Sequence, residues 1–180
     1  MQEKINSDKK MYNPSQSVHR TMTTHMLKNI DNFLPNNDPK SLENFPFFWI
    51  SQVNGKYSQL IEKSLKKIGL DNTKRKIILS TNALGEANIT EIANLSTIKL
   101  TTATKAVYRL VEEEIVEVFS SPYDERISMV KLTEKGQGLV EKIHQINHVT
   151  LSGILNSFDE KELQQINLKL KKLFDLMPNR

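Results

Sequence analysis

The sequence predicts a mainly α protein with one small β-hairpin, and three observations predict it. Apolar residues recur at helical spacing through most of the chain, in blocks closed by Gly or by Pro-Asn runs. In one place, residues 115–132, the period switches to that of extended strands, directly after two short helical blocks. The last block carries apolar positions spaced three, four, three and four, the seam of a helix that packs against another helix.

Residues 1–44 read as an N-terminal extension whose start is polar. Val18, Met22, Met26 and Ile30 predict an extra helix over 15–34, the alternative being an arm that orders only on a partner. Pro35-Asn36-Asn37-Asp38-Pro39 breaks the chain. A long helix is expected from near Asn44, with Pro46 in its first turn and Val53, Tyr57, Leu60, Ile61, Leu65 and Ile68 as its stripe. Gly69 stops it. A second helix is expected over Asn72–Leu84, ended by Gly85. Two short helical segments follow, Thr90–Leu95 and Thr101–Glu114. Ile115–Phe119 and Ile127–Leu132 read as strands around the loop Ser120–Arg126. Thr133 can cap another long helix carrying Leu139, Ile143, Ile146, Thr150, Ile154 and Phe158. Asp159 can cap the last helix, whose seam is Leu163, Ile166, Leu170, Leu173 and Met177. That seam needs a partner surface, and a second copy of the chain can supply it.

Composition narrows the function classes. With 38% hydrophobic and 26% charged residues, a chain of 180 residues can bury a core without staples. It has no cysteine, which excludes disulfides, Cys-zinc sites and thiol catalysis. The net charge of +4 permits nucleic-acid binding without demanding it. No apolar run reaches the roughly 18 residues of a membrane span, and no signal-type stretch follows the N-terminus, so a cytoplasmic protein is expected.

The order helix, short helix, turn, helix, hairpin is the plan of a winged helix-turn-helix. In Thr101–Glu114 the buried face falls to Ala103, Ala106, Val107 and Leu110. The other face offers Thr101, Thr102, Thr104, Lys105, Tyr108 and Arg109, with Lys99 just ahead of it. Threonine hydroxyls suit phosphates and base edges, and threonine methyls suit the thymine methyl. The acid run Glu112-Glu113-Glu114 lies at the far end. In the hairpin loop, Arg126 is the candidate for the minor groove, with Asp124 orienting it or a nearby arginine.

The residues Ile89-Thr90-Glu91-Ile92-Ala93, Leu100 to Leu110, Asp124-Glu125-Arg126 and Val130-Lys131-Leu132-Thr133-Glu134-Lys135-Gly136 together resemble the MarR family. The resemblance covers roughly residues 45–177 and is carried most by the wing Asp-x-Arg followed by Leu-Thr-Glu-x-Gly. It implies a winged helix-turn-helix over 69–132, flanked by long dimerisation helices at 45–68 and 133–177. It also implies a homodimer with interlocked terminal helices, a double-stranded pseudo-palindromic operator as partner, and usually repression. Many relatives leave DNA when a small aromatic anion binds between the first long helix, the second helix and the DNA-binding lobe. Two departures stand out: Pro122-Tyr123 in a loop where relatives carry several basic residues, and Thr97 in the turn where glycine is frequent.

On that implication the effector candidates are Phe48 and Trp49 as walls, Ser51 and Gln52 as hydrogen-bonding groups, and Arg75 as partner of a carboxylate. A small aromatic carboxylate is therefore expected; the alternative is a constitutive DNA-binding protein without an effector. His144 and His148 lie four apart on a helix but lack the intervening Glu of a zinc-protease motif and any evident third ligand. No phosphate-cradling glycine loop, nucleophile elbow or spaced carboxylate pair is present, so neither an enzyme nor a bound metal or cofactor is expected.

Overall fold

A computed structural model describes residues 30–178. The chain divides into two compact units, 1–54 and 55–180. In the first unit the break at 35–39 is a set of side-chain-capped turns. The Asn36 carboxamide accepts from Asp38 N–H at 2.8 Å, and the Asp38 carboxylate accepts from Lys40 N–H at 3.0 Å. Ser41 Oγ accepts from Asn36 N–H at 3.0 Å, which buries this serine at the start of a short helix, α1 (Ser41–Asn44). Phe45 is extended, and α2 (Pro46–Lys67) begins on the proline, whose missing N–H is harmless there. The sequence placed the start near Asn44; one residue of extended chain separates the two helices. Of the helix expected over 15–34, residues 15–29 lie outside the described residues, and Asp31–Phe33 form a short 3-10 turn.

The second unit holds the hydrophobic core. α3 (Asn72–Leu84) is bounded as its end signals require: the Asp71 carboxylate accepts from Lys74 N–H at 2.8 Å, and Gly85 adopts φ 76°. A two-residue strand, β1 (Ala87–Asn88), follows, then α4 (Ile89–Ser96) and α5 (Leu100–Glu112). β2 (Val116–Ser120) and β3 (Ser128–Leu132) form the expected hairpin. β1 joins it, giving a three-stranded antiparallel sheet in the order β1-β3-β2, with Asn88 opposite Met129 and Val118 opposite Val130. α6 (Glu134–Leu155) stops three residues short of Phe158, and α7 (Glu160–Asp175) closes the described chain.

Ile61 and Leu65 of α2, Ile77 and Ile78 of α3, Ile92 of α4, Val107 and Leu110 of α5, Val116 and Val130 of the sheet and Ile143 of α6 are all essentially inaccessible. They bring the helix-turn-helix, the wing and the root of α6 onto one core. Gly136 allows the closest approach: a Cβ there would collide with the Ile115 carbonyl oxygen. That carbonyl also accepts from Thr133 N–H at 3.1 Å, so the start of α6 is clamped to the start of β2. α7 is opened by a capping box between Asp159 and Glu162, and none of its side chains is buried. No helix among the described residues is long and apolar enough to cross a membrane.

Candidate nucleic-acid interface

α4 and α5 are joined by a tight turn whose geometry is set by the end of α4. Asn88 and Glu91 form a reciprocal capping box at its start. At its end Thr97 is left-handed, φ 55° and ψ 44°, and Ile98 N–H reaches back to the Ala93 carbonyl at 3.0 Å. Ser96 is buried, its hydroxyl donating to the Ile92 carbonyl at 2.7 Å. The turn requires this left-handed conformation, and a β-branched residue adopts it at a cost.

The turn delivers α5 with one face sealed and one free. Ala103, Ala106, Val107 and Leu110 are buried, as their spacing requires. Thr101, Thr102, Lys105, Tyr108 and Arg109 are exposed, and Thr104 is half-buried with its hydroxyl donating to the Leu100 carbonyl at 2.8 Å. Lys99 occupies the N-cap without a side-chain capping bond and is exposed. The free stripe is centred on Thr101 and Lys105, with Thr104 and Tyr108 on one edge and Thr102 and Arg109 on the other. Beside the second edge lies a cleft of about 190 Å³ lined by Asp71, Thr73, Lys74, Thr102, Lys105 and Arg109.

One acid of the run at the other end of α5, Glu113, is tied down. Lys74 Nζ donates to Glu113 Oε1 at 2.5 Å, joining the first turn of α3 to the end of α5. Lys135 donates to the Glu113 carbonyl at 2.7 Å and lies 3.9 Å from the Glu114 carboxylate. Glu113 is thus paired, while Glu112 stays exposed and the contact to Glu114 is a long one at the surface.

The wing tip is a nest of local bonds. Ser121 N–H donates to the Ile127 carbonyl, Ile127 N–H to the Asp124 carbonyl, and Tyr123 N–H to Ser121 Oγ, at 2.8, 2.9 and 3.3 Å. The Asp124 carboxylate accepts from Arg126 N–H and Nε at 3.0 Å and from Nη2 at 3.1 Å. Asp124 therefore orients Arg126. The guanidinium holds the carboxyl below the usual carboxylate range, and the carboxylate raises Arg126 in turn. Arg126 lies in open solvent and Asp124 is partly exposed, so the pair fixes a direction more than it adds stability. Tyr123 stands beside them, 97% exposed. It is not among the contacts expected from the sequence, because a tyrosine in a loop carries no charge signal.

The effector candidates divide between the two units. Phe48 is half-buried and edge-on to Trp49 at 5.1 Å; Trp49 donates from Nε1 to the Glu43 carbonyl at 2.8 Å, and Ser51 and Gln52 are exposed on α2. Arg75, in the second unit, is 8% exposed and not a free surface cation. Its Nη1 donates to the Tyr57 hydroxyl at 3.1 Å and its Nε to Asn72 Oδ1 at 3.3 Å, with the guanidinium 5.2 Å from the Tyr57 ring centre. The Tyr57 hydroxyl in turn donates to Asn147 Oδ1 at 2.8 Å, so α2, α3 and α6 meet in one polar chain. Neither Tyr57 nor Asn147 stood out as polar partners in the sequence, since Tyr57 sits in an apolar stripe. His144 and His148 are both exposed on α6.

Comparison with known proteins matches this geometry. The model of the MarR family matches residues 72–128, which run from α3 through the wing loop. The chain is 34% identical over 140 residues to the HTH-type transcriptional repressor IacR of Pseudomonas putida, covering 78% of this chain and 84% of that one. Among solved structures, a MarR family transcriptional regulator from Silicibacter pomeroyi superposes with a TM-score of 0.72 at 21% identity, over 81% of this chain and all (100%) of the other. A mutant MarR from E. coli complexed with operator DNA superposes with a TM-score of 0.61 at 25% identity, over 69% of this chain and 90% of that one. With a sealed and a free face on α5, a wing beside it and a relative aligned over most of both lengths, the chain belongs to the MarR family of DNA-binding transcriptional regulators.

Proposed function

We propose that this chain is a repressor that binds a pseudo-palindromic operator as a homodimer and is released from it by a small aromatic carboxylate. The observation that carries the DNA reading is the free stripe of α5, whose first two turns are polar and cationic with no acidic side chain. In this reading residues 69–132 bind DNA and the helices at 45–68 and 133–177 dimerise. The recognition helices of the two protomers enter successive major grooves about one helical turn apart. Repression is favoured because the relative from Pseudomonas putida bears that name.

The effector reading draws its support from Arg75. It is a buried cation that, among the described residues, is held by neutral partners and takes part in no ion pair with a carboxylate. A buried guanidinium held this way favours an anion over its neutral isostere. An effector shifts the DNA equilibrium only by its differential affinity for the bound and released forms. Calorimetry with a panel of aromatic acids and their amides, on the native protein and on Arg75→Ala, tests it. Acids should bind, amides should bind far more weakly, and Arg75→Ala should erase the difference. Equal binding of acids and amides by the native protein removes the carboxylate from the proposal.

A further inference from the structure

The geometry points to Tyr123 as a DNA-contacting residue that donates a hydrogen bond from its phenol to a phosphate oxygen at the edge of the groove entered by the wing. The inference rests on the operator-binding reading above and adds to it a neutral contact that charge patterning does not reveal.

The wing tip is poorly equipped to hold a phosphate by charge. From Ser120 to Arg126 it carries one positive side chain, Arg126, against two negative ones, Asp124 and Glu125. The Arg126 guanidinium already spends Nε and Nη2 on Asp124, so its remaining donors point where that pair directs them. The side chain that extends without restraint is Tyr123, 97% exposed at the tip of the hairpin. Its backbone is nonetheless fixed: its own N–H is bonded to Ser121 Oγ, and Ser121 and Ile127 close the loop around it. A large aromatic group held out on an ordered turn costs little further entropy when it meets a partner. A phenol is a neutral donor of the kind that contacts DNA phosphates and fixes orientation without reading sequence.

This assignment has a signature that a cationic contact lacks. A lysine or arginine on a phosphate displaces condensed counterions, so its loss lowers the slope of log affinity against log salt by about one. A neutral phenol displaces none. The probe is the duplex most enriched from a random-sequence pool by the native protein, titrated at several salt concentrations. Tyr123→Phe, which keeps the ring and the fold, should weaken binding roughly ten-fold, the loss of one hydrogen bond to a charged acceptor. The salt slope should not change, and the penalty should be the same on the enriched duplex and on single-base variants of it. Arg126→Ala, by contrast, should lower the slope. Native-like affinity in Tyr123→Phe, while the native protein binds the duplex, overturns the Tyr123 contact and leaves operator binding intact, whatever Tyr123→Ala does. A fall in slope with Tyr123→Phe also overturns it. A pool in which no duplex is enriched overturns operator binding itself, and the contact with it.

Discussion

At the scale of single residues, two backbone positions are strained by their side chains. Thr97 and Glu114 are the described non-glycine residues at positive φ, 55° and 58°, each at the end of a helix of the helix-turn-helix. For an L-residue that region costs roughly 1–2 kcal/mol, of which glycine's greater chain entropy takes back about 0.5–1. Thr97→Gly should therefore stabilise the fold by about 0.5–1 kcal/mol, read as a higher midpoint in denaturant with an unchanged slope. On the face proposed to meet DNA, Lys105 sits at the centre of the free stripe. If it meets guanine, Lys105→Ala should cost about 1–3 kcal/mol and relax preference at one base pair. If it meets phosphate, the loss should be nearly the same on every sequence. Fluorescence titration across operator variants separates the two. Unchanged affinity in both Lys105→Ala and Arg126→Ala would refute the assigned face.

Elements were legible wherever both ends carried a chemical stop. α3 runs from Asn72 to Leu84, as its Asp71 cap and Gly85 terminator require, and Thr133 and Asp159 cap α6 and α7 as read. β1 was not legible, because two residues cannot display an alternating period; what makes Ala87–Asn88 a strand is the edge of β3 beside it. The face of α5 was legible because its alanines and valine repeat at helical spacing. The burial of Arg75 was not, since a charged residue is usually exposed and only the Tyr57 and Asn72 partners, one of them on another helix, make its burial tolerable. The joint between β2 and α6 supplies a sharper test. Gly136→Ala places a methyl against the Ile115 backbone, which cannot swing aside as a side chain can. It should destabilise the fold by about 2–3 kcal/mol, as overpacking does, whereas Gly138→Ala, where a Cβ meets nothing within 4 Å, should be neutral or stabilising. Thermal unfolding of the two variants side by side checks the contrast.

At the scale of the whole molecule, α7 is the element a lone chain leaves unsatisfied. Ile166, Leu170 and Phe174 are 42%, 43% and 66% exposed along one side of it, with Leu163 and Leu173 half-buried among them and Met177, 47% exposed, just past its end. A stripe of that size on a soluble protein marks an association surface. Sedimentation at micromolar concentration should give one species of twice the chain mass, and Leu170→Glu should release monomer; a stable monomer of the native protein would exclude the dimer. The short third strand has a different consequence. Asn88 is at once the strand residue opposite Met129 in the wing and the cap of α4, so the hairpin is stitched to the first helix of the helix-turn-helix by one residue. On the proposed mode of operator binding, the contacts of α5 and of the wing within a half-site are therefore mechanically coupled. Their amide protons should exchange as one cooperative block, and an operator should tolerate changes in the length between its half-sites more readily than an insertion inside either one.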